Sequence, residues 1–145
     1  MPRRGRVGDA VRALVVSSKP AARAWLRSAL GTAWECDEAS DALDALRRVH
    51  DEDVDLVVAD ESTEPYGAFG LTRELKILPY PPGVIIVLDR RPDAWLARWA
   101  GADRWLVQPI DPFDLARVAS EIIDAQDASV GGDVVADTEP AAPAP

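Results

Sequence analysis

The sequence predicts an α/β fold: a doubly wound, five-stranded parallel sheet of (βα)5 type, flavodoxin-like in class, in a single domain. Three observations carry this. Short β-branched runs alternate five times with stretches of helical spacing. Three of the runs, at 13–16, 56–59 and 84–88, are apolar almost throughout. Continuous hydrophobicity means that both faces of a strand are covered, the condition of a parallel sheet between two helical layers. The connections are also short, as strict β–α alternation requires.

Strands are expected over 11–16, 33–36, 54–59, 84–88 and 104–107. The first helix takes its apolar stripe from Ala22, Trp25, Leu26, Ala29 and Leu30, and the second from Ala39, Ala42, Leu43, Leu46 and Val49. Leu71, Leu75 and Leu78 mark a third stripe, and Trp95, Leu96 and Trp99 a fourth. The fifth helix opens on a strong start signal, Asp111 as N-cap and Pro112 at the first helical position. Its stripe is Phe113, Leu115, Val118, Ile122 and Ile123. Ser18 is expected to cap the first helix. Residues 1–10 show no periodicity and read as a loose leader. From 127 onward Asp, Pro and small residues dominate, so 127–145 is expected to be a disordered tail, with the domain spanning 11–126 and no output domain after it.

Composition narrows the function. A formal net charge of −9 repels phosphate backbones and anionic lipid, so neither nucleic acid nor a membrane surface is an expected partner. No apolar run is long enough to span a bilayer, and the basic residues at 1–6 are not followed by the apolar stretch of a secretory signal. A cytoplasmic location is expected. The single cysteine, Cys36, allows no intrachain disulfide and no cysteine zinc cluster. It reads as a half-buried strand residue. The single histidine, His50, falls at a helix end, so no nucleophile–base pair is in view and no enzyme is expected. The turn Ser17-Ser18-Lys19-Pro20 lacks the glycines of a phosphate loop.

In a doubly wound sheet, sites form beyond the carboxyl ends of the strands. That rule selects Ser17, Ser18, Asp60, Leu88, Asp89 and Gln108. They lie in or beside the segments Ala13-Leu-Val-Val-Ser-Ser18, Leu56-Val-Val-Ala-Asp60 and Gly101-Ala-Asp-Arg-Trp-Leu-Val-Gln-Pro109. With Glu38-Ala-Ser-Asp-Ala-Leu-Asp-Ala-Leu46, these resemble bacterial response-regulator receiver domains in order and spacing. The resemblance covers nearly all of 11–126. It implies an aspartate phosphoacceptor at the end of the third strand, matched by Asp60. It also implies an acid pair for Mg²⁺ after the first strand, a Thr or Ser after the fourth, and a Lys before the Pro after the fifth. Metal and ammonium neutralise the oxygens that gain charge in phosphoryl transfer.

This sequence departs from that pattern. The acid-pair positions hold Ser17 and Ser18, the hydroxyl position holds Leu88, and the Lys position holds Gln108 before Pro109. Hydroxyls are poor Mg²⁺ ligands, so Asp60 alone is expected to bind the ion weakly or not at all, and no cofactor is expected. Asp60 is expected instead to accept hydrogen bonds from Ser17, Ser18 or loop amides. Asp89, with Glu61, is the nearest acid that a rearranged metal site would use. The loop 61–70 is about two residues longer than its counterparts in the family, with Pro65 displaced by one.

In such receivers the face of the fourth helix, fifth strand and fifth helix is the output surface, and an aromatic on the fifth strand switches it. Trp105 matches that aromatic, with Arg91, Trp95, Arg98, Trp99 and Arg104 around it. Trp and Arg concentrate at the energetic centres of interfaces. A protein partner or self-association through this face is expected. With Leu88 in place of a hydroxyl, Trp105 is expected to keep one position and the face to be presented constitutively. The sequence thus reads as an atypical receiver, signalling by protein contact with phosphorylation lost or non-standard. One alternative is a working phosphorelay receiver, phosphorylated on Asp60 by a histidine kinase. Another is a small flavodoxin-like ligand-binding protein or enzyme.

Overall fold

A computed structural model describes residues 11–131, with side chains through 128. The elements run β1 (Val11–Val16), α1 (Pro20–Leu30), β2 (Trp34–Ala39), α2 (Ala42–Asp51), β3 (Leu56–Asp60) and α3 (Gly67–Lys76), then β4 (Gly83–Leu88), a 3₁₀ turn (Arg91–Asp93), α4 (Ala94–Ala100), β5 (Arg104–Val107) and α5 (Pro112–Gly131). The strands form one parallel sheet in the order β2-β1-β3-β4-β5. The expected (βα)5 fold is therefore the observed one. β1 and β5 occupy their expected spans, while β2 runs three residues past 36.

Strand side chains alternate between two cores. Leu14, Val16, Val57, Ala59, Val84, Ile86 and Leu88 face one layer, where Ala42 and Ala45 of α2, Leu71 and Leu75 of α3, and Ala97 of α4 cover them. Ala13, Val15, Leu56, Val58, Ile85 and Val87 face the other, under Leu26 and Leu30 of α1 and Leu115, Val118 and Ile122 of α5. β3 and β4 are buried along their whole length, as their unbroken hydrophobicity requires. Burying each such Leu, Ile or Val contributes about 1.5–3 kcal/mol before ordering costs.

The helices correct several expectations. In α4 the buried positions are Ala97 and Ala100, while Trp95 and Trp99 are 64% and 56% exposed. The helix meets the sheet through small residues one turn apart, so the bulky Trp pair lies outward. Phe113 is 83% exposed because it sits in the first turn of α5, before the helix settles on the sheet at Leu115. Leu43 and Trp25 likewise stand partly outside their stripes. Asp111 caps α5 as expected, accepting the Phe113 N–H at 2.9 Å. That helix continues to Gly131, five residues past the expected boundary at 126, so the expected tail begins as helix. The leader at 1–10 and residues 132–145 lie outside the described residues. α4 ends at Gly101, whose φ of +94° is the left-handed conformation that glycine adopts without strain.

Candidate functional site

Parallel pairing places Val16 beside Ala59, so the next residue of each strand, Ser17 and Asp60, emerges at the carboxyl edge together. The sheet order reverses at this point, since β1 leads outward to β2 while β3 starts the other half. The crevice of a doubly wound fold lies there.

Both residues are buried. The Ser17 hydroxyl donates to Asp60 Oδ2 at 3.0 Å, and its oxygen accepts the Lys19 N–H at 3.0 Å. The Ser62 N–H reaches Asp60 Oδ1 at 3.3 Å. The carboxylate is thus held by a hydroxyl and an amide, both neutral. Ser18 neither touches Asp60 nor caps α1. Lys19 is the N-cap and makes no side-chain bond there, while the Ser18 hydroxyl accepts the Glu64 N–H at 3.1 Å. The competing partner lies in the long loop after β3, which α2 also grips through Ala42 N–H to the Glu64 carbonyl at 2.7 Å.

That loop contains a residue the sequence did not flag. Thr63 is fully buried, its hydroxyl 2.7 Å from the Asp60 carbonyl oxygen and 3.3 Å from that of Val16. It ties the loop back to both strands. Its only signal was a short polar β-branched residue three places after Asp60.

Glu61 turns away from Asp60, and its Oε1 accepts the Asp89 N–H at 2.8 Å. Burial pushes the Glu61 carboxyl up, and the nearby acids Asp93 and Asp89 push the same way against that hydrogen bond. Asp89 itself is exposed. Leu88 is fully buried in the core layer against which Trp105 packs, half-buried itself. Gln108 is exposed and donates its backbone N–H to the Leu88 carbonyl at 2.9 Å, followed by a cis bond to Pro109.

Beside Asp60 opens a cleft of about 320 Å³ between α1 and the segment after β5. Ala22, Trp25, Leu26 and Ile110 line it with apolar surface, Gln108 adds an amide, and Asp60 is its one acid.

The expected partner face separates into parts. Arg91, Trp95, Arg98 and Trp99 are exposed on α4 and the turn before it. Arg73 of α3 joins them, its guanidinium 4.2 Å from the centre of the Trp99 ring, at a sequence distance that leaves no local signal. Arg104 instead pairs with Glu121 of α5 at 2.9 Å, and Trp105 is turned toward the core. Cys36 is half-buried, and burial pushes its thiol up to about 11.

No protein-family model matches the chain. Two Mycobacterium tuberculosis proteins, from strains CDC 1551 and H37Rv, are named uncharacterized response regulatory proteins, and each is 36% identical over 75 residues. Those residues are 50% of this chain and 55% of each relative, so the chain matches about half the length of either. A CheY-like receiver domain from Methanospirillum hungatei superposes with a TM-score of 0.73 at 23% identity, over 82% of this chain and 98% of the other. The chemotaxis regulator CheY4 of Vibrio cholerae gives 0.69 at 17% identity, over 77% and 98%. The chain has the fold of response-regulator receiver domains. A receiver domain from Clostridium thermocellum agrees, with a TM-score of 0.71 at 24% identity over 82% and 98%.

Receivers of this fold are associated with Mg²⁺, and the donor set here does not fit it. Mg²⁺ requires an octahedron of hard, mostly anionic or water oxygens. Asp60 offers one carboxylate already bonded to Ser17 and Ser62, and the neighbouring acid Glu61 is engaged by Asp89. Among the described residues, no group of three or more His, Cys, Asp or Glu side chains could hold a metal ion. Nor is any described helix long and apolar enough to cross a membrane.

Proposed function

We propose that this receiver transmits a signal by protein contact, without phosphoryl transfer on Asp60 and without enzymatic activity of its own. One observation carries the reading. Asp60 keeps the acceptor position at the end of β3, but its carboxylate is bonded to Ser17 where the fold's chemistry needs a second acid. Leu88 and Gln108 bring neither a hydroxyl nor a positive charge to the same edge. Each missing donor or charge removes a few kcal/mol of transition-state stabilisation.

The output lies on α4 and its flanks. Trp95 and Trp99 are large, exposed and framed by Arg73, Arg91 and Arg98, the residue types that dominate interface energetics. An acidic chain of net charge −9 presenting an Arg-rich aromatic patch suits a protein partner in the cytoplasm better than nucleic acid or membrane.

The test is intact mass after incubation with a small-molecule phosphodonor and excess Mg²⁺, with Asp60→Asn as control. No added phosphoryl group is expected under conditions that modify an ordinary receiver. A stable adduct on the parent chain, absent from Asp60→Asn, overturns the reading and makes the chain a phosphorelay receiver.

A further inference from the structure

We propose that the cleft beside Asp60 is a binding site for a small organic cation, a protonated amine carried on an aromatic or aliphatic body. The cleft borders an uncompensated charge. Asp60 is 4% exposed, and its two bonds come from the Ser17 hydroxyl and the Ser62 amide. Neutral donors lower the cost of burying a carboxylate without cancelling its charge. Arg23 donates to the Ser17 carbonyl at 2.8 Å and directs its Nε to Glu38 at 3.1 Å, and the Lys19 side chain, also at this edge, makes no ion pair with Asp60. Among the described residues Asp60 therefore has no cationic partner.

The second observation is the space next to it. The cleft of about 320 Å³ lies at the lower end of the range for small-molecule sites and suits a ligand of roughly ten non-hydrogen atoms. Its walls are Ala22, Leu26 and Ile110, which favour an apolar body over a hydrated inorganic ion. Trp25 lines the same cleft and is 42% exposed, an indole available to a cation or a ring. Gln108 supplies an amide that can accept a second ammonium N–H. An anion is disfavoured by Asp60. A neutral apolar ligand leaves that charge unmet. An organic monocation answers both the carboxylate and the walls. The site stands apart from the α4 face, and its failure would leave the phosphodonor result untouched.

The experiment titrates the ¹⁵N-labelled chain with 2-phenylethylamine, protonated at neutral pH, and with its neutral isostere 2-phenylethanol, following backbone amide shifts. Saturable shifts are expected at Ala22, Leu26 and Ile110, with the alcohol binding at least roughly tenfold more weakly. Asp60→Asn, which can still accept from Ser17 and Ser62, should weaken the amine by a similar factor and leave the alcohol unchanged. The proposal is overturned if millimolar amine gives no saturable shift, or if the shifts centre on Trp95 and Trp99. Equal binding of amine and alcohol by the unaltered chain also overturns it, and that comparison needs no variant to fold.

Discussion

The Ser17 hydroxyl and the Asp60 carboxylate meet at 3.0 Å across β1 and β3, both buried, so a neutral donor sits where a second acid would repel. Ser17→Ala should cost about 2 kcal/mol, the loss of its bond to a buried carboxylate together with the one it accepts from the Lys19 N–H. Ser17→Asp should cost more, about 3 kcal/mol, because it buries a second carboxylate against the first. Urea unfolding checks both. Millimolar Mg²⁺ should narrow the gap for Ser17→Asp alone, since only that variant offers the ion a pair of carboxylates.

Glu61 carries the pH dependence of this edge. Its carboxyl is pushed up by burial, with Asp93 and Asp89 adding to the effect. A carboxyl raised on folding favours the folded state while it is protonated, and that contribution disappears as pH rises through its folded value. Glu61→Gln keeps an acceptor for the Asp89 N–H and removes the charge. It should therefore be more stable than the parent at pH 7. The difference should close as pH falls through the carboxylate range, toward about pH 4. Urea midpoints at the two pH values decide it. A parent chain that is the more stable at pH 7 contradicts the assignment.

Cys36 should be a slow thiol. Its pKa is pushed up to about 11 by burial, with Asp37 and Glu38 adding to this and Arg27 opposing it. Only the thiolate reacts. Alkylation by iodoacetamide should be far slower than that of a small free thiol at pH 8. The rate should rise about tenfold per pH unit without levelling before pH 10. A plateau near pH 8 to 9 would mean the thiol is solvated like a model peptide.

The three tryptophans of the α4–β5 region should separate by what they hold. Trp95→Ala and Trp99→Ala lie on the surface and should each change stability by about 0.5 kcal/mol or less, apart from the Arg73 contact that Trp99 loses. Trp105→Ala removes a half-buried ring packed on the core and should cost about 2 kcal/mol or more. Partner capture should fail with the first two although both remain folded. Unfolding midpoints and retention on the captured partner test the two halves separately.

The parts of this fold that were legible in the sequence are those where one physical cause dominates. β3 and β4 are buried on both faces, so their apolar runs had one interpretation. Asp111 and Pro112 sit at a helix start where local chemistry decides. In α4 the large Trp95 and Trp99 set the apparent stripe, whereas the close approach of the helix to the sheet selects Ala97 and Ala100 for burial. At the site, Asp60 was found by position on its strand, and its bond to Ser17 was among those anticipated. The role of Ser18 was not legible, because its partner, Glu64, lies 46 residues away in a loop whose course no local rule predicts. The Arg73–Trp99 contact likewise comes from the packing of α3 beside α4, and the cleft lined by Trp25 from α1 lying beside the segment after β5.

The two sides of α4 are written in different residues. Alanines attach the helix to the sheet, and tryptophans and arginines form its outer surface. Selection for a new partner can therefore rewrite the outer letters while the inner ones stay fixed. Descendants of this scaffold can part company in what they recognise and still fold alike. In the reverse direction, agreement between two such chains at the alanine positions carries little information about shared partners, whereas under the proposed function agreement at Trp95 and Trp99 carries much.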